Sequence, residues 1–274
     1  MPDPEQHEIP FKERRIKNHR LRRGIFLIPS LFTSANLLCG YYAVIAASLG
    51  TPEDLNHAAK AIGFAILFDS LDGRLARLLG ANTDFGVQFD SLADVVSFGI
   101  APAALAYAWG VRSVVGLGAE ASHDLGRFAW LCCLVFSICC AWRLARFNIQ
   151  GMLPGSSNRF FVGMPAPAAA GMVAATVHGV KFPIDDWRLS LAWLLLVGAL
   201  ATLMVSTLRF YSFKDLGWQG RHPSLIVVFL ALLIWSIFLY SEEVLLLIGT
   251  LYTLSGPTYW LARTVRHRLA SRPA

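Results

Sequence analysis

Charge is scarce in this sequence. Only 15% of its 274 residues are Asp, Glu, Lys or Arg, where a soluble domain carries about a quarter. The 24 basic and 18 acidic residues fall mostly in short bursts between long apolar runs. That scarcity excludes a soluble enzyme, a disordered chain and a nucleic-acid module, each of which needs a charged or polar surface. The five cysteines, Cys39, Cys132, Cys133, Cys139 and Cys140, form no C-x-x-C pair and have no His at zinc spacing. They read as small hydrophobes rather than metal ligands or redox groups. The first 23 residues are polar and basic without an apolar core, so no cleavable signal peptide is expected. Internal repeats and low-complexity tracts are also missing.

Apolar surface is what the chain has in quantity: 55% of residues are hydrophobic and the mean hydropathy is +0.51. A membrane span takes roughly 20 apolar residues, which leaves room for about six to eight spans in one polytopic domain. Apolar windows predict helices near 27–49, 58–79, 86–110, 128–147, 165–180, 189–207, 224–240 and 244–262. The expected fold class is therefore all-α, a transmembrane helix bundle of about eight helices. Residues 1–24 form a basic tail or surface helix, 25–264 the membrane domain and 265–274 a second tail.

The net charge of +6 and pI near 9.2 fit the positive-inside rule and anionic headgroups better than a nucleic-acid partner. With the N-terminus inside, only Lys60, Arg112, Arg127, Lys181 and Arg188 fall toward the outside, and the other 19 of the 24 Lys and Arg lie inside. This split predicts that both termini are cytoplasmic, in the inner membrane of a bacterium. The outer connections carry Glu53, Asp54, Glu242 and Glu243. Trp109, Trp130 and Trp187 sit where an aromatic belt is expected.

The chemistry-bearing stretch is Asp69-Ser-Leu-Asp72-Gly73-Arg74-Leu-Ala76-Arg77, followed after eight residues by Gly86-Val-Gln-Phe-Asp90-Ser-Leu-Ala-Asp94. Asp69 and Asp72 are spaced i, i+3 near the end of the second predicted helix. Asp90 and Asp94 are spaced i, i+4 near the start of the third, so each pair lies on one helix face. A short connection makes the two helices antiparallel neighbours whose carboxylates converge at the inner surface. One Asp inside a membrane costs roughly 2.5–3.5 kcal/mol, so four approach about 10 kcal/mol before they repel one another. Two divalent cations balance the four charges, and all-oxygen ligands favour Mg²⁺ or Mn²⁺. An interhelical salt-bridge network with Arg74 and Arg77 is the structural alternative. Gly73, Ala76 and Gly86 leave room for a bulky group or for a helix contact, and Arg77 lies one turn from Gly73, within reach of a phosphate.

This string, D-x2-D-G-x2-A-R-x8-G-x3-D-x3-D, resembles the signature of the CDP-alcohol phosphatidyltransferases at every fixed position. The resemblance implies an integral membrane enzyme with a six-helix catalytic core, which displaces CMP from a CDP-linked alcohol with two divalent metals. It implies that Asp69, Asp72, Asp90 and Asp94 hold the metals, that Asp94 takes the acceptor's proton, and that Gly73 and Arg77 contact the CDP group. Pro29-Ser-Leu-Phe-Thr33-Ser-Ala-Asn36-Leu-Leu-Cys-Gly40 is similar to the family's first-helix pattern, which lies near the nucleotide, with Ser30 in place of an Asn.

Three further stretches resemble the family's bacterial, membrane-embedded phosphatidylserine synthases: Arg143-Leu-Ala-Arg146-Phe-Asn148, Phe161 to Ala170, and Met204 to Lys214. That branch more often has Leu at 164, Ser or Thr at 166 and Pro at 211. The implied substrates are CDP-diacylglycerol, its chains held among membrane lipids, and L-serine. Serine is a zwitterion, and Arg143 and Arg146 end the fourth predicted helix at the depth of the aspartates. An Arg pairs bidentately with a carboxylate at any pH, although a helix-end Arg also snorkels. Arg209 and Lys214 are further candidates for serine or lipid phosphate.

The acceptor alternatives are glycerol 3-phosphate or an inositol compound, and a divalent-cation transporter is the alternative of another class. Phe161 to Ala170, with prolines where a helix should start, reads as a loop followed by small-residue packing. The run Ala168 to Ala175 suits packing within the chain or a homodimer contact.

Overall fold

In the computed structural model, the described residues are 13–80, 83–115, 120–151, 160–211, 232 and 235–270. The fold is a bundle of long helices, and among the described residues five helical segments are long and apolar enough to cross a membrane: Ser30–Leu49, Asp84–Gly110, Asp124–Ile149, Trp187–Val205 and Ser241–Val265. They coincide with the first, third, fourth, sixth and eighth predicted helices. The second and fifth predicted helices are also present. Helix α2 (Pro52–Leu79) carries too many charges to read as a simple span, and α7 (Ala166–Val180) has 15 residues. Most of the predicted helix 224–240 lies outside the described residues, though 235–239 are helical.

Helix α1 (Glu13–Leu49) runs unbroken for 37 residues, so the basic stretch from Glu13 onward continues the first span. Gly50, at φ +77°, turns the chain toward α2. There Thr51 Oγ1 accepts from the Asp54 backbone N–H at 3.2 Å and donates to the Asp54 carboxylate at 2.6 Å, with Pro52 opening the helix. These are the start signals expected of Thr-Pro-Glu-Asp. Gly80, at φ +58°, follows the end of α2. The next helix is capped by Thr83, whose hydroxyl accepts from the Gly86 N–H at 3.0 Å.

That third helix is one rod in three parts: α3 (Asp84–Asp94), a π-helical turn (Val95–Ile100) and α4 (Ala101–Gly110). Next come the short α5 (Arg112–Val115), α6 (Glu120–Gly151), α7, α8 (Trp187–Val205) and α9 (Ser241–Ala270). α1 packs most extensively on α2, and α7 lies between α2 and α9.

The core is rich in alanine, most of all where α1 meets α2. Ala43, Ala46 and Ala47 of α1 and Ala58, Ala59, Ile62 and Ala65 of α2 are buried. Lipid tails supply no hydrophobic drive between helices, so close backbone approach must provide the packing. Ala169, Ala170, Ala174 and Ala175 are buried within the chain, against α2 and α9. The outward faces carry large apolar groups such as Leu38 and Ile45 on α1 and Leu134, Ile138 and Trp142 on α6, as lipid contact requires.

One element is not legible in the sequence. Strand β1 (Phe160–Val162) pairs antiparallel with β2 (Arg209–Tyr211), Phe161 opposite Phe210, where a loop is the sequence expectation. The ribbon pairs backbone groups that leave their helices at the bundle end and would otherwise need other partners. Gly163 follows β1 at φ +82°. A Cβ there would collide with the carbonyl of Met204 and lie 2.7 Å from Arg146 Nη2 and 3.0 Å from the Ser206 carbonyl, so only glycine fits.

Candidate active site

The antiparallel hairpin of α2 and α3 brings the aspartates together as the spacing requires. One carboxylate oxygen from each of Asp69, Asp72 and Asp90 lies within 4.8 Å of the other two. Asp94 sits one turn further along α3 and is 7% exposed, while Asp72 is 4% exposed. Helix α1 closes the cluster from the side. Thr33 Oγ1 donates to Asp72 Oδ2 at 2.9 Å, and Asn36 Nδ2 donates to Asp94 Oδ1 at 3.0 Å. Both α1 residues are buried.

Among the described residues no Lys or Arg pairs with any of the four aspartates, so the salt-bridge alternative finds no support there; the ion pair Lys181–Glu242, at 2.6 Å, lies at the other end of α7. Asp90 Oδ1 is buried without a hydrogen-bond partner. Clustered hard oxygen donors and an orphaned carboxylate oxygen, with no ion-paired Lys or Arg among the described residues, fit a divalent cation of the Mg²⁺ type. The cluster can hold such an ion, with Asp69, Asp72 and Asp90 the nearest ligands.

Space is left beside it. Gly73 is exposed, and a Cβ on it would meet nothing within 4 Å. Ala76 is half-buried on the same helix. Gly86 lies against the Thr83 cap, whose hydroxyl would be 3.0 Å from a Cβ. Arg77 lies on α2, but its side chain is outside the described residues.

The two arginines that end α6 differ sharply. Arg143 is 7% exposed, its Nε is buried without a partner, and it lies within electrostatic reach of Asp94 and of Tyr252 on α9. Arg146 instead donates to backbone: Nη1 to Val205 O at 3.0 Å, and Nη2 to Val162 O at 2.7 Å and Met204 O at 3.5 Å. It ties β1 to the end of α8, alongside the bonds from Gly163 N to Leu208 O and Met164 N to Leu203 O. Arg209 is exposed on β2, and Lys214 lies outside the described residues.

Sequence reasoning missed Ser91 and Ser97. Ser91 Oγ accepts from Asn148 Nδ2 of α6 at 2.8 Å, and Ser97 Oγ donates to Asn36 O at 2.9 Å. Both sit three residues from Asp94, near it on the helix surface, and they tie that stretch to α6 on one side and α1 on the other.

The family model for CDP-alcohol phosphatidyltransferases matches residues 26–187, more than half of the chain. The chain belongs to that family, and the hairpin carrying the four aspartates lies within the matched part. Among its relatives is the CDP-diacylglycerol–serine O-phosphatidyltransferase of Helicobacter pylori (strain 26695), 33% identical over 244 residues, which cover 88% of this chain and 94% of that protein. Enzymes of the same name from Mycobacterium leprae and Bacillus subtilis are 34% identical over 224 residues and 35% identical over 190. Those matches cover 78% and 68% of this chain, and 67% and 91% of the respective relatives.

Proposed function

We propose that this chain transfers the phosphatidyl group of CDP-diacylglycerol to L-serine, giving phosphatidylserine and CMP. The observation that carries the reading is the convergence of carboxylates suited to dications where α2 and α3 meet, together with a buried arginine, Arg143, whose Nε has no partner and which lies within electrostatic reach of Asp94. The names of the relatives support serine as the acceptor.

Asp69, Asp72, Asp90 and Asp94 would hold two divalent cations, Mg²⁺ or Mn²⁺. When bound, these neutralise the diphosphate and the charge that develops on the departing CMP. The open face at Gly73, with Ala76, Gly86 and Arg77, receives the CDP group, and Thr33 keeps Asp72 oriented toward it. Arg143 takes the serine carboxylate. Asp94 accepts the proton of the serine hydroxyl as that oxygen forms its bond to the lipid-side phosphorus and the bond to the CMP oxygen breaks. No covalent intermediate is needed, and the chain has no H-x-K-x4-D motif, since His57 and Lys60 are wrongly spaced.

The site faces the cytoplasm of a bacterial inner membrane, as the distribution of Lys and Arg supports. The diacylglycerol chains stay in the bilayer. The test is purified protein with CDP-diacylglycerol, Mg²⁺ or Mn²⁺, and a panel of serine, glycerol 3-phosphate and inositol, scored by CMP release. Release with serine is expected. Preferential release with another acceptor overturns the assignment of serine, and metal flux into liposomes without any CMP release overturns the transferase reading.

A further inference from the structure

Behind Asp94 lies a polar network that touches no surface. Asn36, fully buried, donates through Nδ2 to Asp94 Oδ1 at 3.0 Å. The chemistry fixes the orientation of that amide, because a carboxylate only accepts and the nitrogen must face it. The backbone carbonyl of Asn36 accepts in turn from Ser97 Oγ at 2.9 Å. Ser97 is fully buried on the π-helical turn that follows Asp94 directly.

Helix α1 and the π turn nearly touch here. A Cβ on Gly40 would collide with Ser97 Oγ and lie 2.7 Å from Ser97 Cα, so only glycine at 40 permits the approach. On the other side of the turn, the Gly99 carbonyl accepts from Ser137 Oγ of α6 at 3.2 Å, and a Cβ on Gly99 would rest 3.4 Å from Cys140. The turn is thus clamped between α1 and α6, at the kind of position where such wide turns concentrate.

From this arrangement we infer that Asn36 is a positioning residue for Asp94. It engages one carboxylate oxygen and leaves the other to face the reactants, while Ser97 and the bare Gly40 set the place of Asn36 itself. This is a different task from the nucleotide contact that the first-helix resemblance implies, and it rests on the reading of Asp94 as the proton acceptor. Asn36 has no exposed surface with which to meet a nucleotide, whereas its bond to Asp94 is already formed.

The test uses the full chain in detergent micelles, as wild type, Asn36→Ala, Ser97→Ala, Asp94→Asn and the double variant Asn36→Ala with Asp94→Asn. Three quantities are read: kcat for CMP release, KM for CDP-diacylglycerol, and CDP affinity by calorimetry in Mn²⁺. The expected result is that Asn36→Ala lowers kcat by about 10- to 100-fold, the scale of one hydrogen bond to a charged group. KM and CDP affinity stay unchanged, Ser97→Ala moves kcat in the same direction, and the double variant is no slower than Asp94→Asn. Weakened CDP affinity at wild-type kcat in Asn36→Ala makes Asn36 a nucleotide contact and overturns the inference, as does an additive loss in the double variant. An inactive Asp94→Asn beside a fully active Asn36→Ala refutes the positioning role alone. Substantial turnover in Asp94→Asn refutes the proton-acceptor reading and this inference with it. If Asn36→Ala does not fold, Ser97→Ala decides, and wild-type kcat there overturns the inference.

Discussion

Replacing Arg146 by Ala tests whether the two arginines at the end of α6 do different work. The guanidinium makes two well-formed bonds, to Val162 O at 2.7 Å and Val205 O at 3.0 Å, and a longer one to Met204 O. Each hydrogen bond from a charged group is worth about 1.5–3 kcal/mol. Arg146 is only half-buried, so the lower value is the appropriate one, and losing two such bonds costs about 3 kcal/mol. For a chain of this size that corresponds to a fall of about 6–12 °C in unfolding temperature. The carbonyls at the junction of β1 and α8 lose their donor. Arg146→Lys keeps the charge but not the fork that bridges separate carbonyls, so it recovers only part of the loss. The assay is thermal unfolding in detergent, followed by tryptophan fluorescence, beside KM for serine. An Arg146→Ala protein with wild-type unfolding temperature and a raised serine KM refutes the structural assignment and returns Arg146 to the substrate site.

Gly73→Leu adds a side chain where nothing lies within 4 Å and replaces the poorer helix former, so unfolding temperature holds or rises; KM for CDP-diacylglycerol rises at least about tenfold if the CDP group occupies that face, and an unchanged KM counts against it. Arg143→Lys, which retains charge and loses the planar fork, raises KM for serine about tenfold with KM for CDP-diacylglycerol unchanged; equal effects on both constants argue against a serine contact. Chelation by EDTA abolishes CMP release and added Mg²⁺ or Mn²⁺ restores it, while Asp90→Asn no longer shows tight Mn²⁺ binding by electron paramagnetic resonance; full activity in EDTA removes the metal from the reading.

Much of the site was legible because its parts are close in sequence. Asp69, Asp72, Asp90 and Asp94 occupy two helices joined by a short turn, and helical periodicity alone puts each pair on one face. The helices followed from apolar runs long enough to span a bilayer, whereas the second helix, expected from 58, starts at Pro52 because the polar turn Thr51 to Asp54 caps it. Arg143 and Arg146 show where such reasoning stops. They share a helix, a residue type and a spacing of three, yet one is buried with an unpartnered Nε and the other holds backbone carbonyls. Which carbonyls lie within reach depends on β1 and the end of α8, 16 and 59 residues further along the chain.

The sequence by itself determined the helical bundle and the aspartate hairpin, since hydropathy, helical period and a tight run of acidic residues act locally, and the reaction class followed from the resemblance of that run to a family signature. Only the tertiary structure decided that β1 and β2 pair, that α1 supplies Asn36 and Thr33 to the carboxylates, and that the π turn lies against Gly40. The physical reason is that these contacts join residues about 40 to 60 positions apart. Their partners are set by how closely helices with small side chains approach one another, and that distance is written in no single segment.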